Sequence, residues 1–379
     1  MDYSEIKYND LGVTARRARI MPSDGIAECH VILTIDRGGA TFAAQMSAIL
    51  EAVSRLCDMA GDSMRVVFKR YYLSDAANQA RQLPPSDSCC VSVVEQPPLS
   101  GAKIALLMLM QQAVEVRPAE NGMIEVSHGR YRHLWQGSAA APGLHSAMAT
   151  RVLLGDLAIN LENQGCSLAN NCVRTWFFVQ NVDVNYRGVV NGRNEMFKLS
   201  GLVDDTHYIA STGIGGRHAD PSVSVEMDSY SVDGLAEGQM SYLYAPENMN
   251  RTSDYGVAFE RGTTVDYGDR RHVYISGTAS IDNRGQVLYP DNIELQTARM
   301  LENVEALLDE AGCGWDDVGH AVIYLRDVTD YNTVSRIIDH RLPRLPRVIV
   351  YAPVCRPGWL IEMECMACKP ACHPEYAPL

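Results

Sequence analysis

The sequence predicts an α+β fold in which one unit occurs twice, a mixed and mostly antiparallel sheet with helices packed on one face. Three observations carry this. The segment FAAQMSAILEAVSRLCDMAGDSMRVVFKRYYLSD has a counterpart in IELQTARMLENVEALLDEAGCGWDDVGHAVIYLRD, with Gln45/Gln296, Leu50/Leu301 and Gly61/Gly312 all at one offset of 251 residues. Further on, VSVVEQPPLSGAKIALLM parallels VIVYAPVCRPGWLIEMEC at an offset of 257. Each copy then reads helix, strand, polar segment and two apolar strands. Self-similarity at a nearly fixed spacing marks a duplicated unit, and such an element order places helices against a sheet.

Taken in order, residues 1–24 read as an irregular or strand-like lead-in, and 25–170 as a degenerate N-terminal domain that ends in the helix-like run ATRVLLGDLAINLENQG (149–165). Residues 171–370 read as a C-terminal domain, with NGR (191–193) and TGIGG (212–216) as turns and 251–370 as the second copy proper. The tail, 371–379, is punctuated by proline. In the second copy Asp291 and Glu294 have capping-box spacing. Leu295, Ala298, Leu301, Val304 and Leu308 fall on one helical face, and Gly312 is the stop. HAVIYLRDV and RVIVYAPV are β-branched and apolar, as covered strands are.

A chain of 379 residues buries a sizeable core, and 46% apolar with 21% charged residues is ordinary for a globular protein. No run reaches membrane-span length, and the first residues, MDYSEIKYND, are acidic and polar, so the expected location is the cytoplasm. Eleven cysteines is an odd count that fits reduced thiols better than a disulfide framework. Cys365 and Cys368 point to opposite strand faces and lack a second ligand pair, so no metal is expected. The net charge of −13 disfavours nucleic acid as a partner.

The chemistry-bearing stretch is PRVIVYAPVCRPGWLIEMECMA, which sets Arg347, Cys355, Arg356, Glu362 and Glu364 among strand residues. Guanidiniums grip carboxylates through paired hydrogen bonds, and a poorly solvated Glu can be held as a proton donor. Glu364, two residues on, shares a strand face with Glu362 and can raise its proton affinity by like-charge repulsion. A structural Arg356–Glu362 ion pair is the plain alternative. The first copy favours a site, because Cys90, Leu99, Ala105 and Leu107 stand opposite Arg347, Arg356, Glu362 and Glu364. It keeps the scaffold and lacks every charge.

At these residues the C-terminal copy resembles the Rid (YjgF-like, endoribonuclease L-PSP) superfamily, through Ser276-Gly277, Gln296, Pro346-Arg347 to Val350, and Ile361-Glu362-Met363-Glu364 to Ala367. Within it the chain is similar to the chorismatases, through SGTASID (276–282), YLRD (324–327), VCRPGWLIEME (354–364), RTWFFVQNVDVNYRGVVNGRNEMF (174–197) and ASTGIGGR (210–217). The resemblance implies cleavage of an enol-pyruvyl ether with release of pyruvate and without a cofactor. It also implies Glu362 as proton donor and Arg356 as carboxylate clamp. Tyr186, Arg193, Arg261 and the Thr212-Gly213 turn would line the pocket, with Cys355 beside the ring. Trp176-Phe177-Phe178 departs from the W-N-Y triplet of chorismatases, which puts the pocket rim in question.

Two other readings stay open. Many Rid relatives hydrolyse enamines and imines and bind the substrate carboxylate with the P-x-R arginine, here Arg347. A non-catalytic metabolite-binding protein on the same pocket is the third. Partners implied are a small carboxylated molecule and other copies of the chain, as in Rid trimers.

Overall fold

The computed structural model describes residues 1–379 except 23–24, 37, 62, 86–87 and 120–121, so residue 24, where the lead-in was drawn to end, lies outside the described residues. The described strands form three six-stranded sheets. The first holds β1 (Asp2–Tyr8), β2 (Val13–Ile20), β3 (Glu28–Ile35), β4 (Met64–Leu73), β5 (Cys90–Glu95) and β6 (Ile104–Gln112). The middle sheet holds β7 (Glu115–Pro118), β8 (Ile124–His128), β9 (Tyr131–Ala140), β10 (Cys172–Val179), β11 (Ala210–Gly215) and β12 (Val225–Asp233). The last holds β13 (Met240–Leu243), β14 (Gly262–Asp266), β15 (Arg270–Ala279), β16 (Val318–Leu325), β17 (Arg347–Tyr351) and β18 (Ile361–Pro370).

Each sheet has the same strand order, first-second-third-sixth-fourth-fifth. In each, only the fourth and fifth strands run parallel. The α+β class and the mixed sheet are as the sequence predicts, but the unit occurs three times rather than twice. The long helices are α1 (Phe42–Ala60) in the first unit, α2 (Ser146–Asn163) and α3 (Val182–Leu199) in the middle one, and α4 (Ile293–Glu310) and α5 (Tyr331–Arg341) in the last. The first and last units hold register in the sequence: α1 and α4 begin 251 residues apart, and β5/β17 and β6/β18 begin 257 apart. The middle unit escapes such a comparison because α3, which stands between its parallel strands as α5 does in the last unit, is longer, and the span from long helix to fifth strand grows to 64 residues, against 48 and 54 in the others. It draws strands from both sides of residue 170, and the lead-in supplies two full strands of the first sheet.

Two details of α4 differ from expectation. The N-cap of α4 is Asn292, whose side chain accepts from the Leu295 amide, rather than Asp291 in a capping box. Leu295 is therefore exposed, and the buried face runs through Met300, Leu301, Val304, Leu307 and Leu308. Gly312 does stop the helix, at φ +68, where a left-handed residue lets the Cys313 amide reach the Leu308 carbonyl.

The units close into a ring, with the fifth strand of each packed near the third strand of the next: β5 on β9, β11 on β15, and β17 on β3. Isolated bridges Glu95–Arg217, Ile214–Val354 and Pro98–Val350 fasten the three junctions. No helix among the described residues is long and apolar enough to cross a membrane.

Candidate active site

The junction between the middle and last units opens into a cleft of about 500 Å³ including its mouth. Helix α3 contributes Tyr186 and Arg193, β11 contributes Ser211 and Gly213, and the segment leading into β14 contributes Tyr255, Phe259 and Arg261. Gly277 of β15, the loop residues Cys355, Arg356 and Trp359, and Glu362 of β18 complete the wall. Seven of the residues singled out in the sequence thus meet in one place: Glu362, Arg356, Arg193, Tyr186, Arg261, Gly213 and Cys355.

Two of them arrive by a different local structure than expected. NGR is no turn; Gly192 and Arg193 lie inside α3, and the glycine is needed because a Cβ there would come within 2.6 Å of the Ala147 carbonyl on α2. TGIGG is mostly strand β11, and a Cβ on Gly213 would sit 2.6 Å from the Tyr186 ring. Both glycines serve close approach rather than chain reversal. The backbone amides of Gly215 and Gly216 are spent on the Pro353 and Val179 carbonyls, so they form no anion cradle.

Glu362 and Glu364 share one face of β18, opposite Tyr324 and Val322 in an unbroken register. The register irregularity lies on β15, between Ile275 and Thr278, at the Ser276-Gly277 pair. Glu362 is 4% exposed, and burial, reinforced by the charge of Glu364, pushes its carboxyl up to about 8 against the pull of Arg174 and Arg261. It is thus mostly protonated at neutral pH. Glu364 sits behind it, accepting from Arg174 Nη2 at 2.9 Å, Trp176 Nε1 at 2.9 Å and Thr212 Oγ1 at 2.5 Å. Thr212 therefore faces Glu364 and the Gly277 amide, not the cleft.

Three guanidiniums face the cleft and one carboxyl, Glu362, lies among them. Arg193 is 1% exposed, and its Nε and Nη2 have no hydrogen-bond partner; Trp359 Nε1 is likewise unpartnered. Arg261 donates to the Asn250 carbonyl, and Arg356 lies 4.5 Å over the Tyr255 ring and 4.8 Å over that of Trp359. Buried donors without acceptors are costly, and an oxyanion entering the cleft would satisfy them. Burial and the nearby Glu362 push the Cys355 thiol up to about 12, so it presents a neutral, polarisable wall rather than a nucleophile.

Arg347 is the candidate the cleft does not include. It opens β17 at the junction of the last and first units, paired with Asp339 and near Arg16, in a separate cavity. The physical reason is the ring itself: the strand that begins with Arg347 packs toward β3, so its side chain cannot share a wall with Glu362. The sequence reading also passed over Ser211, Phe259 and Trp359 as cleft residues and Arg174 as the partner of Glu364. Arg174 is an apolar-strand arginine, a signal that was available. A second tyrosine, Tyr255, lines the cleft, while Tyr242 stacks on His207 at 4.4 Å.

Taken together, the repeated strand order and a buried acid at a unit junction define a protein of the Rid-like class. Residues 264–369 match the family described as Endoribonuclease L-PSP. A RutC family protein of Saccharolobus solfataricus is 32% identical over 99 residues, which are 26% of this chain and 79% of that one. The 3-aminoacrylate deaminase RutC of Acinetobacter baylyi is 31% identical over 97 residues, 25% of this chain and 77% of that one. A crystal structure of a chorismatase superposes with a TM-score of 0.66 at 19% identity, covering 82% of this chain and 95% of that one, which shows a shared fold. The chain belongs to the RutC family of the Rid (YjgF-like) superfamily.

Proposed function

We propose that the chain is a cofactor-free enzyme that cleaves an enol-pyruvyl ether on a ring carboxylate of the chorismate type and releases pyruvate. The observation that carries this is a buried Glu362, its carboxyl pushed up to about 8 by burial and Glu364, in a cleft with three guanidiniums and unpartnered donors on Arg193 and Trp359. An enol ether hydrolyses when its terminal carbon takes a proton and an oxocarbenium ion forms, so the site needs one acid that keeps its proton at neutral pH and cations for the two carboxylates. Glu362 is the general acid. Arg356, Arg193 and Arg261 hold the carboxylates, Tyr186 and Cys355 pack against the ring, and water or a ring hydroxyl then captures the cation.

The chorismatase fold supports this reading, and so does the assembly of the cleft from two units of one chain. Rid-type hydrolysis of an enamine is the second reading, favoured by the likeness to 3-aminoacrylate deaminase. It would rest on Arg347, which lies outside the cleft that holds Glu362. The test is to incubate the purified protein with chorismate and, separately, with an enzymatically generated 2-aminoacrylate, following in each the rate of pyruvate formation above that of a protein-free control. Pyruvate from chorismate that vanishes in Glu362→Gln supports the first reading; pyruvate only from the enamine overturns it.

A further inference from the structure

Behind the acid, on the side away from the cleft, Arg174 of β10 reaches across from the middle unit into the last one. It is 1% exposed. Its Nη2 donates to Glu364 Oε2 at 2.9 Å and to Thr212 Oγ1 at 2.5 Å, and its Nη1 to Ser276 Oγ at 3.3 Å. Thr212 Oγ1 in turn accepts the Gly277 amide at 2.9 Å, and Ser276 Oγ accepts the Ser211 amide at 2.9 Å. One guanidinium therefore ties together the second carboxyl of the pair and the Ser276-Gly277 irregularity against which Glu362 is packed.

A related arrangement stands at the junction of the first and middle units. There Arg70 of β4 is 1% exposed and donates to Asp228 Oδ2 at 2.7 Å and to Ser92 Oγ at 3.3 Å, while Asp228 Oδ1 accepts the Ser138 amide at 2.7 Å. Glu226 and Asp228 are the second and fourth residues of β12, as Glu362 and Glu364 are of β18. Ser92 and Thr212 are each third in the fifth strand of their sheet. The two sites differ in detail, since the strand-three amide meets the hydroxyl at one and the carboxylate at the other, and they touch: Arg70 Nη1 lies 3.7 Å from Glu364 Oε1, so a second buried guanidinium also faces the carboxyl pair.

We propose that Arg174 is the positioning residue of this site, resting on the enol-ether reading above: it holds Glu364 in place behind Glu362 and, through Thr212 and Ser276, sets the Gly277 backbone against which Glu362 is packed. Arg174 touches no substrate. Its effect reaches the reaction through Glu362, which also faces Arg261 at the head of β14 and Arg193 on α3. Tyr186, Tyr255, Cys355 and Arg356 line the same cleft, Tyr324 stands opposite it in the strand pairing, and Arg70 Nη1 lies 3.7 Å from Glu364 Oε1.

The experiment follows the Glu362 carboxyl directly by ¹³C NMR of protein labelled at the glutamate δ-carbon, together with the pH profile of pyruvate release from chorismate. In the unaltered protein the resonance is expected to titrate near pH 8. Glu364→Gln removes the like charge, and the midpoint moves down by about one unit or more. Arg174→Gln removes a cation that favours the ionised form of Glu362, and the midpoint moves up; Thr212→Val, an isosteric change that frees the Gly277 amide, moves it by less. Arg174→Lys restores part of the shift. The alkaline limb of turnover tracks each midpoint. A folded Arg174→Gln and a folded Thr212→Val that both leave the midpoint unmoved overturn the proposal. Should the unaltered protein release no pyruvate while these shifts appear, the substrate assignment fails and the positioning role stands.

Discussion

The carboxyl of Glu362 occupies the space in which a side chain on Gly277 would stand: a Cβ built there lies 2.1 Å from Glu362 Oε1. The glycine of the Ser276-Gly277 pair thus exists to let an acid from the neighbouring strand come against its backbone. Gly277→Ala is expected to displace the carboxyl, lower turnover by at least tenfold and destabilise the fold by about 1–3 kcal/mol. Pyruvate release and thermal unfolding read the two effects; an alanine variant with unaltered turnover would show that the close approach is not required.

Turnover should fall as pH rises through about 8, because a general acid works only while it holds its proton. Glu362→Gln should remove activity by about 10²-fold or more while chorismate still binds, since the isosteric amide leaves the guanidiniums in place. The variant should also lose a pH dependence of stability. The folded carboxyl titrates above its unfolded value, so the stability linked to its proton is present below about pH 4.5 and is lost as pH rises through about 8. Unfolding measured at pH 5 and pH 9 checks the sign.

Arg193 carries two buried donors with no partner, which makes it a cost to the empty fold. Arg193→Met should leave thermal stability unchanged or raised, while KM for a dicarboxylate rises by at least tenfold. A variant that unfolds more easily and binds normally would contradict the assignment of those donors to ligand.

Arg347→Ala separates the two enzymatic readings. Enol-ether cleavage at Glu362 predicts turnover within about twofold of the unaltered protein, since the arginine pairs with Asp339 at another junction. Enamine hydrolysis that depends on Arg347 predicts that the rate of pyruvate formation from 2-aminoacrylate falls to that of the protein-free control.

The second buried acid gives a stability prediction. Glu226 is 0% exposed, both carboxyl oxygens lack partners, and burial with Asp228 beside it pushes its carboxyl well above the usual range. Protonated in the fold and ionised when unfolded, it weakens the protein increasingly above about pH 4.5, by up to about 1.4 kcal/mol per pH unit. Glu226→Gln should match the unaltered protein at pH 4 and exceed it at pH 8 in denaturant titrations. Equal stability at both values would mean the carboxyl finds a partner.

Much of the last unit was legible in the sequence because its chemistry lies in one strand and loop, from Cys355 to Glu364, and because α1/α4 and β6/β18 keep constant spacing. Glycine was the main source of error. Gly192 and Gly213 read as turn residues, since local sequence shows only that a side chain is absent and not what fills its place; the fillers, Ala147 and Tyr186, are 45 and 27 residues away. Arg347 was grouped with Glu362 through nearness in sequence, whereas strand order sends the two to different junctions. The third unit was hidden for a related reason: strand pairing depends on which faces are covered, and that survives a lengthened connection that destroys any constant offset.

A ring of three identical chains must repeat every substitution three times, whereas a ring written into one polypeptide can alter its junctions one by one. This chain has done so at a single strand position. Glu362 faces an open cleft, Glu226 is sealed in, and Ala105 has no charge to place. Mutational tolerance should therefore be uneven around the ring, and changes at the two quiet junctions can adjust the protein's durability without touching its chemistry.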